Sequence, residues 1–331
     1  MKPLLWLMAA ALPLGAQPKL LVNAKLDTRS AAAGLEQTIR PLVTAQPQPA
    51  WIAYSVPSTR VNLGCDYVRD NWSQPGVIHL EPPDRAVILF RVDGGAIVRI
   101  RTLSPDCEID AGDLPVHWLA EVKPAESVAL LDTFAAQRER GVSRLMDGAL
   151  AAIAAHADPA ADAALQRWLA PGQPESIRLR VVSWFGPMRG RRGFDVLQKL
   201  ISGDPNDRVR ERAIATLGGS KEPEALDLLT ATARQDASPR MRMQALSALH
   251  RHSGAKVLHT FKEAIESDPD RQVKRRAVSA LESMPDGEGI PLLIQTAKAT
   301  HDNEVRKQAM TSLGQSRDGR AIAFFEEVLK K

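Results

Sequence analysis

Aromatic residues are scarce in this 331-residue chain: seven Phe, two Tyr and six Trp, 5% of the whole. Leu, Ala and Val must therefore fill the interior. Cysteine is scarcer still, with only Cys65 and Cys107. They form no C-x-x-C spacing and have no His close by in sequence to activate them, which argues against a catalytic thiol. The chain has no G-x-S-x-G, no P-loop and no dinucleotide fingerprint, so no sequence motif points to a serine hydrolase, a nucleotidase or a nicotinamide enzyme. Past the first residues, no apolar run is long enough to span a bilayer. Neither sign of charge dominates: 43 Lys and Arg against 39 Asp and Glu give a formal net charge of +4, too small at this length to imply nucleic acid.

The first residues, MKPLLWLMAAALPLGAQ, carry one Lys, an apolar run from Leu4 to Leu14 and small residues before Gln17. This pattern predicts a secretory signal over 1–16 with cleavage after Ala16, and an exported protein, periplasmic or secreted. No Cys lies near that cleavage site, which argues against a lipid anchor. In an oxidising compartment a lone pair of cysteines in one small domain is expected to form a disulfide, Cys65 to Cys107. Asn71-Trp72-Ser73 matches a glycosylation acceptor, relevant only in a eukaryotic secretory pathway.

Residues 17–44 read as a polar approach segment with one helical stretch, Ala31 to Ile39. A small antiparallel β domain is expected over 45–123. Its strands are WIAYSV (51–56), GVIHL (76–80) and the two runs of AVILFRVDGGAIVRIRTL (86–103), joined at Asp93-Gly94-Gly95. An Asp-Gly pair supplies the positive φ of a tight hairpin. Val98 and Ile100 share one face of the second run and Arg99 and Arg101 the other, which predicts a half-buried strand.

From Pro124 the hydrophobic period changes from two to 3.6. Leu145, Ile177, Val209, Met241, Val273 and Val305 recur at intervals of 32 residues. Four residues after each stands a smaller one: Ala149, Val181, Ala213, Ala245, Ala277 and Ala309. Four more bring a large apolar residue: Ile153, Phe185, Leu217, Leu249, Leu281 and Leu313. A fixed period of this size predicts a solenoid of helical pairs. The turns GDPND, DASP, SDPD and HDN supply Asp and Asn caps for the second helix of each pair. Gly186, Gly218 and Gly314 are placed at helix C-termini, and the closing FFEEVLKK is read as a helix that caps the stack with polar residues.

The unit D-P-x-x-x-V-R-x-x-A-x-x-x-L resembles HEAT repeats, in particular the short class named after the phycobilin lyases, over roughly 125–331. The whole plan is similar to exported bacterial HEAT-repeat proteins. The fold class this implies is mostly α: a right-handed α-solenoid of HEAT-like pairs over 124–331, preceded by a small β-rich (α+β) N-terminal domain. Similar repeats occur in chromophore lyases, a di-iron hydroxylase and plain scaffolds. The hydroxylases of this class hold metal through His-Glu dipeptides. Here His79, His117, His156, His250, His252, His259 and His301 are followed by Leu, Trp, Ala, Arg, Ser, Thr and Asp. No metal and no cofactor are therefore expected. The acidic run DCEIDAGD (106–113) has Ala111 and His117 where a calcium loop needs Gly and Glu.

Helix geometry divides the arginines. At about 100° per residue, Arg210 and its counterparts Arg178, Arg242, Lys274 and Arg306 fall inside the buried stripe. They are expected to bond turn carboxylates such as Asp204 and Asp268 across the stack. Arg180, Arg208, Arg212, Arg240, Arg275, Arg276 and Lys307 face outward, interrupted by Glu211 and Glu304. Met243 and Leu179 add apolar area among them. This band is either a solvated face or a surface for a protein, acidic peptide or anionic polymer. The reading is a non-catalytic, exported interaction protein. Two alternatives stay open. One is a lyase or hydrolase with a site in or beside the N-terminal domain, for which Asp106, Glu108, Asp110 and His117 would have to converge. The other is an N-terminal binder with the array as spacer.

Overall fold

A computed structural model describes residues 21–45, 48–59, 63, 65, 84–137 and 143–330. The proposed signal at 1–16, the strand expected at 76–80, the glycosylation triplet and His79 lie outside the described residues. The chain forms two compact units, 1–167 and 168–331. Among the described residues no helix is long and apolar enough to cross a membrane.

In the first unit come β1 (Leu21–Val22), β2 (Lys25–Ser30), α1 (Leu35–Thr44), β3 (Ala50–Pro57), β4 (Arg85–Asp93) and β5 (Ala96–Leu103). There follow β6 (Ile109–Asp110), β7 (Pro115–Ala120), α2 (Pro124–Ala135) and α3 (Ser143–Ala155). The sheet has the order β2-β7-β3-β4-β5, and a small pair joins β1 to β6. It is mixed rather than antiparallel as the hairpin signal suggested, because β7 runs parallel to both β2 and β3. Residues 25–30, read as part of a polar approach, are its edge strand. Lys-Leu-Asp-Thr-Arg-Ser is exposed at five of six positions, so no apolar alternation marks it.

Successive side chains of β3 and β4 alternate between two covered faces. Ala53, Val87 and Leu89 join Val116, Trp118 and Cys107 on one, where Cys65 bonds Cys107. On the other, Tyr54 and Phe90 stack, and Phe90 meets Phe134 of α2 at 6.0 Å. The Tyr54 hydroxyl, fully buried, lies 2.6 Å from Ser127 Oγ, which lies 3.0 Å from His156 Nε2. These bonds tie the sheet to α2 and to the chain just after α3, and burial pushes the Tyr54 phenol up. The hairpin turns at Gly94 and Gly95, both at positive φ (56° and 73°). Beyond it the ladder slips by one residue, leaving Val98 unpaired in a bulge. Ile100 is therefore buried while Val98 stays 49% exposed, although strict alternation puts both on one face.

α4 (Pro159–Leu169) carries the chain into the second unit. There α5 (Glu175–Gly203) is two helices joined at a kink at Gly190, whose φ is 49°. The pairs then alternate: α6 (Asp207–Leu217), α7 (Pro223–Gln235), α8 (Pro239–Leu249), α9 (Ala255–Ser267), α10 (Arg271–Glu282), α11 (Ile290–Ala299), α12 (Asn303–Gln315) and α13 (Gly319–Leu329). The periodic residues Val209, Ala213, Leu217 and their counterparts in α8, α10 and α12 are almost fully buried. Asn206, Asp270 and Asp302 cap α6, α10 and α12, each accepting two backbone N–H groups. The second helices α6, α8, α10 and α12 pack more closely on one another than the first helices α7, α9, α11 and α13 do, which makes theirs the inner, concave side of the array.

Two sequence expectations change here. Gly186 lies inside α5 rather than at a helix end, whereas Gly218 stands at the C-terminus of α6 as expected, with a helical φ of −60°, and Gly314 falls in the last turn of α12. A Cβ on Gly186 would stand 2.7 Å from Thr216, and one on Gly218 would stand 2.9 Å from Ala248. Both glycines serve the close approach of successive second helices. The last helix is not a purely polar cap: Ile322, Val328 and Leu329 are exposed beside Glu326 and Glu327.

Replacing both Cys65 and Cys107 by Ser opens a loop with a sequence separation of 42. It is expected to destabilise the first unit by about 4 kcal/mol on the chain-entropy model, measured by denaturant unfolding followed by Trp fluorescence. An unchanged transition would mean that the bond stabilises nothing.

The helix caps set an acid limit. Asp302 is held below the usual carboxylate value by the N–H groups of Val305 and Glu304, and Asp318 is held down to about 2 by Arg320. A depressed carboxylate contributes stability above its unfolded value near 4 and loses it as pH falls through the folded value. The melting temperature of the helical unit should thus fall between pH 4 and pH 2, and Asp302→Asn should reduce that drop. A flat profile for both proteins over this range would exclude the caps as its cause.

Candidate interaction surface

Within the second unit the arginines separate into two sets, as the helical angles predict, except that Arg306, expected in the buried stripe, is exposed near the end of the array and bonds the Thr300 carbonyl. Arg178 and Arg242 are 2% and 7% exposed. Arg178 donates through Nε to the Leu169 carbonyl (2.7 Å), the end of its own pair's first helix, and forms an ion pair with Asp204 in the next turn. Arg210 repeats this with the Ile201 carbonyl (2.9 Å) and Asp236 (2.8 Å). Arg242 grips Asp268 with two bonds of 2.8 and 2.9 Å, and the guanidinium also reaches the Asp236 carbonyl. Each of these Asp residues uses its other function within its own turn, where Oδ1 accepts the N–H two residues on: Asn206, Ser238 and Asp270. The ladder stops where Thr300 replaces the next Asp. There the donor is Lys274, bonded to the Glu266 carbonyl instead.

The outward set lies on the concave side. Arg180, Arg208, Arg212, Arg240, Arg275, Arg276 and Lys307 are exposed, and Met243 and Leu179 are half-buried among them. They are not equivalent. Arg208 donates to Glu175 (2.7 Å) and Arg240 to Glu211 (3.1 Å), each across to the preceding second helix. Hydrogen bonds from Asn206 and then Arg208 hold Glu175 below the usual carboxylate range. Arg212, Arg275, Arg276 and Lys307 have no carboxylate within ion-pairing distance among the described residues.

Sequence reasoning missed these pairings, though offsets of 33 and 29 residues, one repeat plus or minus a few, were their signal. It also missed Gln244 and Gln308, which complete a column. Three residues after the register position stand Arg180, Arg212, Gln244, Arg276 and Gln308, one from every second helix of the unit. One turn further stand small residues: Ser183, Ala215, Ser247, Ser279 and Thr311. The hydroxyls of the four Ser and Thr residues donate to carbonyls of their own helices, as Ser247 does to Met243 (2.8 Å). Long donor side chains thus border a shallow strip.

In the first unit the four candidate acid-base residues do not converge. His117 sits on β7, its Nδ1 3.1 Å from Asp27, while Asp110 is occupied by Asn23 and the Gly112 N–H. Asp106 and Glu108 lie exposed on either side of Cys107. Asp110 borders a cavity of about 50 Å³ lined by Trp51, Trp118 and Arg101 among others, with space for a few waters. Among the described residues no three His, Cys, Asp or Glu side chains form a metal-holding cluster.

The two arginine sets should respond differently to mutation. Arg242→Met leaves Asp268 buried without its partner and is expected to cost about 3 kcal/mol. Arg208→Gln with Arg240→Gln removes exposed pairs and should cost no more than about 1 kcal/mol each. Chemical denaturation of the full chain checks both, and equal losses would contradict the division.

A family model of HEAT repeats matches residues 163–250, 194–282 and 258–331, together just over half of the chain. No curated protein matches it. Among solved structures, human deoxyhypusine hydroxylase in complex with glycerol is 13% identical, covering 62% of this chain and 90% of its own, with a TM-score of 0.28. The complex of CpcE and CpcF of phycocyanin lyase from Nostoc sp. PCC7120 is 18% identical, covering 64% and 88%, with a TM-score of 0.31. With its 32-residue register buried along the second unit and three overlapping matches to one repeat model, the chain belongs to the HEAT-repeat family.

Proposed function

We propose that the protein is an exported interaction scaffold that binds an acidic protein segment along the concave face of its HEAT repeats. The observation that carries this reading is the split between arginines. Those that hold the stack are buried or half-buried and paired with turn carboxylates, while Arg212, Arg275, Arg276 and Lys307 stand exposed with no carboxylate partner among the described residues. Exposed cations that take no part in the internal ion pairs, and that recur in rows on one face, are available to a partner of opposite charge. Half-buried Met243 and Leu179 supply apolar contact between them. The signal-like first 16 residues and the Cys65–Cys107 bond support export to an oxidising compartment. Among the described residues Asp106, Glu108, Asp110 and His117 do not share one hydrogen-bonded cluster, which favours the scaffold reading over the enzymatic one.

The test is capture of envelope proteins on the immobilised full-length chain, followed by titration of a purified captured protein. Its affinity is expected to fall as salt rises from low to physiological strength. It should also fall tenfold or more when Arg212, Arg275, Arg276 and Lys307 are changed together to Gln. An affinity indifferent to both would move the binding surface elsewhere on the molecule. Fractionation of expressing cells tests export, and retention of residues 1–16 in the cytoplasm would exclude it.

A further inference from the structure

The concave face carries more information than its sign of charge, and the additional inference rests on the reading of that face as the binding surface. The column Arg180, Arg212, Gln244, Arg276, Gln308 puts one long hydrogen-bond donor on each second helix of the unit, without exception. Beside it, two residues after the register position, stand Leu179, Glu211, Met243, Arg275 and Lys307, of which Glu211 is neutralised by Arg240. Packed helices stand about 8–10 Å apart, so a ligand crossing them meets one donor at each step of that length. A polypeptide in the polyproline II conformation rises about 3.1 Å per residue with three residues per turn, so every third side chain returns to the same edge after about 9.3 Å. A β-strand does not fit this step, since residues three apart point to opposite faces.

We infer that the partner segment is an acidic polyproline II stretch with Glu or Asp at every third position, lying across α6, α8, α10 and α12. Its carboxylates meet Arg212, Gln244, Arg276 and Gln308 in turn, with Arg275 and Lys307 adding charge at the C-terminal half. The small residues Ser183, Ala215, Ser247, Ser279 and Thr311 leave room beside the donors for the peptide's remaining two edges. Such a segment is already extended before it binds and loses little conformational freedom, which suits recognition by a rigid, regularly spaced surface. Arg208 and Arg240 are excluded from the contact, being held by Glu175 and Glu211.

Two fluorescent eighteen-residue peptides of equal composition test this against the full-length protein: six Glu-Pro-Pro repeats, and a control with its six Glu contiguous. The spaced peptide is expected to bind at least tenfold more tightly. The Arg212, Arg276, Arg275 and Lys307 to Gln variant should lose that binding, and the Gln244→Ala, Gln308→Ala variant should lose the preference for spacing. Arg208→Gln with Arg240→Gln should leave both within twofold. Equal affinity for the two peptides, or equal loss in the Arg208, Arg240 variant, overturns the periodic match while leaving a charge-driven surface intact. Tighter binding of heparin than of either peptide, lost in the same fourfold variant, would replace the peptide by an anionic polysaccharide. If none of the probes binds and the captured envelope protein is indifferent to the fourfold variant, the concave face itself is excluded.

Discussion

The constraint on which the second unit depends is the double use of one aspartate per turn. Asp204 and Asp236 each close their own turn with one carboxylate oxygen and receive the arginine of the preceding pair on the other, while Asp268 closes its turn with one oxygen and is gripped by Arg242 on both. A turn that misfolds therefore loses its neighbour as well, because the arginine ties each turn to the pair before it. Buried ion pairs of this kind contribute little net stability by themselves, because removing two charges from water costs nearly what their attraction returns. Their value here is registration. Leu, Ala and Val surfaces slide past one another easily, whereas a guanidinium held by a carbonyl and a carboxylate tolerates one position.

That internal arrangement leaves the outer helix positions free to vary. Because Arg178, Arg210 and Arg242 fix the step between pairs, residues at equivalent outward positions are brought into rows whatever their chemistry. The rows then differ. The one just before the register position contains Arg208 and Arg240, which are neutralised by glutamates of the preceding helix. The one three residues after it contains donors throughout. A repeat architecture converts a short sequence pattern into a ruler, and the ruler's markings need not all be used for binding.

How much of this the sequence showed depends on how each feature is encoded. The 32-residue register, the caps at Asn206, Asp270 and Asp302 and the inner arginines were legible because they repeat, and repetition separates signal from chance. The hairpin at Gly94-Gly95 was legible because only a few residues adopt its turn. Strand β2 was not, since an exposed edge strand has no buried face to impose alternation. The parallel placement of β7 comes from long-range pairing that no local pattern records. Val98 deceived because a bulge shifts the phase of everything before it. At Gly186 the expected helix end is absent: the proximity of the next helix is a tertiary fact, and a glycine near an apolar residue looks the same whether it ends a helix or admits a neighbour. On the concave face the outward direction of the arginines was readable from angle alone, but which of them had partners was not.

The break in the ladder at Thr300 has a mechanical meaning. The three earlier joints of the second unit are each bridged by a guanidinium and a carboxylate, but between α10 and the turn before α12 no such bridge stands among the described residues, Lys274 turning back to its own pair. If the array were pulled from its ends, the load would concentrate at that joint. The helices from α12 onward would peel away while the preceding pairs stayed clasped, so the stack would yield in a fixed order, beginning with its C-terminal segment.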